Sequence, residues 1–186
     1  MKKKLLTLSL IVICVAILAA GTLAYFSDDV TAHNVITTGG VEVKLIETTD
    51  GGETFPVEGI TGVMPGQTVT KVVTVDNIGP ADAWIRLEAE LEVLGADGKP
   101  LDDAPVTMDV GSKWTEKDGY YYYKFALAPG QSTDAFITGV TFSGPDMDNK
   151  YQNCTVNLDI TAYAVQVDNN GDTVWDAQGW PEPTQN

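Results

Sequence analysis

Few residues in this 186-residue chain could do catalytic chemistry, and their spacing narrows the field further. The single imidazole is His33, and the two thiols are Cys14 and Cys154. Acyl transfer needs a nucleophile, a base and an orienter in contact, so an imidazole-based triad would have to recruit His33. No Gly-x-Ser-x-Gly elbow is present, because Gly130-Gln131-Ser132 lacks the second glycine and follows Pro129. No His-Glu-x-x-His pair exists to hold zinc on a helix, and neither glycine-rich phosphate cradle occurs. With 26 Asp and Glu in the chain, two neighbouring acids say little about glycosidase chemistry. The expectation is no enzyme, with no catalytic, cofactor or metal residues to assign.

Binding features are more numerous. Asp168, Asn170 and Asp172 have the D-x-N-x-D spacing of a calcium loop, and Asp146, Asp148 and Asn149 form a second oxygen-rich group. An EF-hand would place a bidentate Glu at the twelfth position, which is Gly179. Asn170-Gly171 supplies the positive φ of a tight hairpin, so a turn is expected there. Tyr120 to Tyr123 are four consecutive aromatics, with Trp114 before them and Trp175 and Trp180 after. In a strand, two of those tyrosines face the core and two face outward, for cross-strand packing or for stacking on sugar rings.

The elements that would position these residues read as β. Beyond Ala24 the chain holds 19 Thr and 18 Val but 7 Leu, a composition that suits strands. From Ala83 to Val93, apolar residues alternate with Trp84, Arg86, Glu88, Glu90 and Glu92. Period-2 alternation over that length predicts a strand with one face in the core, and the glutamates read as a solvated face that discourages edge pairing. Cys154 to Val167 alternates in the same way and places Cys154 among buried apolar groups, as a small hydrophobe and not a nucleophile. Shorter strands are expected at Val41–Glu47, Thr68–Asp76, Val106–Val110, Tyr120–Leu127 and Phe136–Phe142. Glycine, proline and Asp/Asn turns separate them. Many short strands with no helical period between them predict a single all-β domain, a β-sandwich or jelly roll.

Charge and the N-terminus bound the setting. Lys2-Lys3-Lys4 precede an apolar run from Leu5 to Ala20, and Gly21-Thr22-Leu23-Ala24 follow with small residues before a cut between Ala24 and Tyr25. That is the layout of a secretory signal peptide, shorter than a spanning helix and without a basic stop-transfer flank. The 162 residues left after cleavage keep 8 of the 11 basic residues against 26 acids, a net charge of −18. So acidic a body repels phosphate backbones and anionic lipid headgroups, so neither nucleic acid nor a membrane surface is an expected partner. The expected organisation is a signal peptide over 1–24, an N-terminal segment over 25–40, a sandwich over 41–178 and a flexible tail over 179–186.

The leader junction Gly21 to Asp28 and the later Thr37-Thr38-Gly39-Gly40-Val41-Glu42-Val43-Lys44-Leu45 resemble the TasA/camelysin family. Met64-Pro65-Gly66-Gln67, then Val72-Val73-Thr74-Val75-Asp76-Asn77-Ile78-Gly79, are similar to that family's turn, strand and N-x-G segment. Asn149-Lys150-Tyr151-Gln152 resembles a stretch near its C-terminal strand. The resemblance implies a jelly roll that is exported, cut by the SipW signal peptidase, and assembled into biofilm-matrix fibres at the bacterial surface. It further implies assembly by strand donation, self-association with copies or related matrix subunits, and membrane contact through the leader alone.

For this chain the donor would be Tyr25 to Thr38, whose Val30, Val35 and Ile36 could enter a neighbouring sheet. The alternative is that the same segment pairs within its own subunit. Two other functions compete with a structural one. An adhesion module would bind carbohydrate through the tyrosines, and a secreted metalloprotease would fit the camelysin name alone.

Overall fold

The computed structural model describes residues 27–28, 34–37, 40–56, 64–144, 146–147, 151 and 153–181. They form an all-β sandwich, with no α-helix among the described residues. In the first sheet β1 (Ser27–Asp28) and β2 (Asn34–Thr37) lie on one edge of β11 (Thr155–Gln166). Next come β6 (Ala83–Leu94), β9 (Tyr120–Tyr123) and β8 (Trp114–Lys117). The second sheet runs from β3 (Val43–Thr48) to β5 (Val72–Asn77), β10 (Ile137–Phe142) and β4 (Thr68–Val69), with β7 (Val106–Val110) also paired to β10.

The two sequences with the strictest alternation, β6 and β11, pair antiparallel over 12 residues each, from Thr155↔Leu94 to Gln166↔Ala83. Their inward residues Ile85, Leu87, Val156, Leu158, Ile160 and Ala162 meet Val73, Val75, Phe136, Ile137 and Val140 of the second sheet in one buried core. Burying each of the larger of these side chains contributes about 1.5–3 kcal/mol, so this pair is the spine of the fold. Among the outward glutamates, Glu88 accepts a 2.7 Å bond from the Tyr163 hydroxyl, while Glu90 and Glu92 are exposed. β9 pairs with β6 at Arg86 and Leu87, so the glutamates line the outer face beyond that pairing, where β6 is held by β11.

Two stretches singled out by their sequence have local explanations. At Met64-Pro65-Gly66-Gln67, Gly66 takes φ +86° and Gln67 closes the turn: its Oε1 accepts from Met64 N at 2.8 Å and its own N–H donates to Met64 O at 3.1 Å. At Asn77-Ile78-Gly79 the chain passes so close to Glu42 that a Cβ on Gly79 would lie 2.6 Å from the Glu42 nitrogen. Glycine is required there for space.

The expected strand Thr68–Asp76 is two strands, broken at Thr70-Lys71. Lys71 is fully buried, with Nζ 3.0 Å from Glu47 Oε1 and 4.6 Å from the Phe55 ring centroid. The expected strand Tyr120–Leu127 ends at Tyr123, and β8 fills a stretch where no strand was expected. β8 and β9 form a hairpin whose two-residue loop, Asp118-Gly119, has positive φ at both positions (53° and 81°).

Cys154 is buried in the core, and burial pushes its thiol pKa from 9.0 up to about 11. The unfolded thiol ionises first, so its contribution to stability is intact below pH 9 and is lost as pH rises from 9 to 11. Folded protein is expected to leave Ellman's reagent unreacted at pH 8 and to react with one equivalent per mature chain in denaturant. Stability should fall more steeply above pH 9 in the wild type than in Cys154→Ala, as denaturant midpoints would show.

Candidate functional site

Among the described residues, the groups that catalysis or metal binding would need do not come together. Among the described residues no group of three or more His, Cys, Asp or Glu is placed to hold a metal ion, and His33 lies outside them. A catalytic zinc takes three protein ligands. The described residues, with one buried thiol held neutral, do not fit that requirement. In the loop after β11, Asn170 is committed to structure: its Nδ2 donates to Gln178 O at 3.0 Å and its Oδ1 accepts from Gln178 N at 2.8 Å. Asp146 accepts from Ser143 Oγ at 2.7 Å, and Asp148 and Asn149 lie outside the described residues.

The N-terminal segment gives a clearer geometry. β1 and β2 both run parallel to β11, with Ser27↔Thr155 and Asp28↔Val156, then Asn34↔Thr161 through Thr37↔Ala164. On its other side β11 is paired to β6 along its whole length. The outer edge of β11 is therefore covered by two short pieces, and Asn157 to Ile160 have no described partner there. Short parallel pairings supply few hydrogen bonds and are slightly weaker per residue than antiparallel ones. Val35 remains 40% exposed in its place. Gly40, at the junction to the body, has open space around its Cα. β1 and β2 lie at the sheet margin, with β11 as their paired neighbour among the described residues and β3 also close to β2.

Of the sequence-identified assembly residues, Val35 and Ile36 lie in β2, whereas Val30 and the cleavage pair Ala24 and Tyr25 lie outside the described residues. The sequence did not indicate that β11 is the strand with which this segment pairs. Alternation shows which face of a strand is buried but not which strand is left at a sheet margin.

The tyrosine run divides as the strand period requires. Tyr121 and Tyr123 face the core: Tyr121 packs 4.9 Å from Phe136, and Tyr123 donates to Asp134 Oδ2 at 2.7 Å. Tyr120 and Tyr122 are outward, beside Arg86, Trp175 and Trp180. The return of the chain after β11 lays Val174 and Ala177 on Trp84 and Val165, a second small core on the outer face. Trp180 and Pro181, within the stretch expected to be a flexible tail, pack there too: Arg86 lies 4.8 Å from the Trp180 ring and donates to Pro181 O at 3.4 Å. Residues 182–186 lie outside the described residues.

An all-β sandwich with two short N-terminal strands at one sheet margin is the class of protein this geometry defines. Residues 1–118 match the model of the camelysin metallo-endopeptidase family, and the chain belongs to that family. This agrees with the resemblance carried by the leader junction, the P-G-Q turn and the N-x-G segment, and at family level it supports a secreted matrix protein. No curated protein and no solved structure matches the chain. No helix among the described residues is long and apolar enough to cross a membrane.

Proposed function

We propose that this protein is a non-catalytic structural subunit of an extracellular matrix fibre, assembled by exchange of its N-terminal strand. Cleavage after Ala24 frees the segment, which leaves its own β11 and pairs with the β11 edge of the next subunit. The observation that carries this reading is the contrast between the two sides of β11: twelve paired positions toward β6, and two short parallel pieces on the other side. Within one chain and between chains the segment would make the same backbone bonds. The closed monomer and the fibre then differ mainly in which subunit supplies the strand, as in domain swapping. Tethered to the leader, the segment could not be inserted into a neighbour, so processing sets when assembly begins.

The two pairings considered from sequence become two states of one edge in this account. Deleting Tyr25 to Ile36 from the mature chain is expected to abolish fibres in negative-stain images while leaving a folded, soluble sandwich. Fibres of unchanged yield would remove strand exchange from consideration. Casein cleavage by the purified mature chain, lost on adding a chelator, would contradict the non-catalytic part.

A further inference from the structure

We infer that the outer face around Trp175, Tyr122 and Tyr120 is a binding site for an uncharged polysaccharide, separate from the β11 edge and independent of strand exchange. The second core on this face is closed by Val174 and Ala177 over Trp84 and Val165. The aromatic surface continues past that closure. Trp175 sits with its ring centroid 5.1 Å from that of Tyr122 at 47°, and it is 43% exposed. Tyr122 in turn lies 6.0 Å from Trp180 and 6.5 Å from Tyr120, each nearly edge-on. Covering the core does not require an indole in that position. It leaves a flat apolar surface in water, which a stacked ligand would remove from solvent.

Hydrogen-bonding groups surround the rings. The Arg86 guanidinium lies 3.9 Å from the Tyr120 centroid and 5.1 Å from that of Tyr163, and its bond to Pro181 O is a long 3.4 Å. Lys117 Nζ is 5.7 Å from the Trp175 centroid. The hydroxyls of Tyr120 and Tyr122 have no hydrogen-bond partner among the described residues. Flat rings bordered by donors suit a pyranose, whose C–H face stacks on an aromatic while its hydroxyls bond at the margin.

Charge selects the class of sugar. The mature body carries −18, and Glu88, Glu90 and Asp159 share this outer face through the β6–β11 register, so a polyanionic glycan is repelled. Size argues against a second copy of the chain as the occupant. Trp175 is the one large apolar residue of this face that is well exposed among the described residues, whereas a stable protein interface needs about 1,000 Å² or more.

Native affinity gels test the proposal with the mature chain run through barley β-glucan, soluble hydroxyethyl cellulose or polygalacturonate. Retardation is expected in at least one uncharged polymer and not in polygalacturonate. Trp175→Ala should weaken it about tenfold, and Trp175→Phe should keep most of it. Phe125→Ala, at an exposed ring elsewhere, should leave it unchanged. Absence of retardation in both uncharged polymers, equal retardation of Trp175→Ala, or stronger retardation by polygalacturonate would overturn the proposal. So would a Trp175→Ala chain that bound glycan normally but lost a dimer in sedimentation. Fibre images of Trp175→Ala should match the wild type, which separates this site's failure from failure of strand exchange.

Discussion

Asn77→Ala is expected to cost about 2–3 kcal/mol of folding stability, a large loss for a change of one polar side chain. Asn77 ends β5 and is fully buried. Its Nδ2 donates to Ala81 O and to Leu127 O, both at 2.8 Å, and its Oδ1 accepts from Gly79 N at 3.0 Å. Three chain segments are tied by one amide: the end of β5, the loop entering β6, and the stretch after β9 that bridges to Ala83. Alanine leaves Ala81 O without that donor, while Leu127 O keeps a 3.0 Å bond from Ala83 N, and an unsatisfied buried group costs about 1–3 kcal/mol. Gly79 N keeps its 2.9 Å bond to Glu42 O, so the loss there is partial. Asn77→Asp should be nearly as damaging, because a carboxylate cannot donate and would be buried beside two carbonyl oxygens. Urea denaturation of wild type and both variants measures this, and losses under 1 kcal/mol would show that the clasp is not a stabilising element.

This clasp also gives physical meaning to the N-x-G segment. Asn77 supplies the three bonds, and Gly79 supplies the close approach to Glu42 that any Cβ would block. The position between them, Ile78, is 54% exposed, which explains why its identity carries no constraint in the geometry.

How much of the sandwich could be read in the sequence depended on which force decided each element. Where burial of one face decided, as in β6 and β11, alternation placed both strands to within a residue or two of their ends. β8 was missed because Trp114-Thr115-Glu116-Lys117 is too short to show a period. The informative signal was the Asp118-Gly119 dipeptide after it, which demands a two-residue hairpin and so implies a strand on each side. The break at Lys71 was invisible for a different reason. A lysine reads as a surface residue unless its partner is known, and Glu47 is far away in sequence and adjacent only through the β3–β5 pairing. The outward aromatic face was half legible: the tyrosine run gave the alternation, but the second core needed the chain to turn back after β11, which no local pattern announces. That the N-terminal segment could pair within its own subunit was legible, but not that β11 is the partner, and that margin is where the proposed assembly site lies.

A covalent lock across that margin should be the sharpest perturbation of assembly. Asn34 and Thr161 face each other in the β2–β11 register. Cysteines at both positions would join the segment to its own subunit by a disulfide across paired strands. The core is left untouched, since Thr161 belongs to the outward set of β11 and Cys154 is buried in the core. A lock that bars exchange should remove fibres altogether, because a subunit that retains its own strand has nothing to donate and a filled edge to offer.

The decisive measurement is negative-stain electron microscopy of the mature Asn34→Cys/Thr161→Cys chain, oxidised as a monomer and then reduced. Strand exchange predicts isolated particles in the oxidised sample and fibres of wild-type appearance after reduction. Fibres of equal number and length in both samples, with the intramolecular disulfide verified by mass, would contradict it.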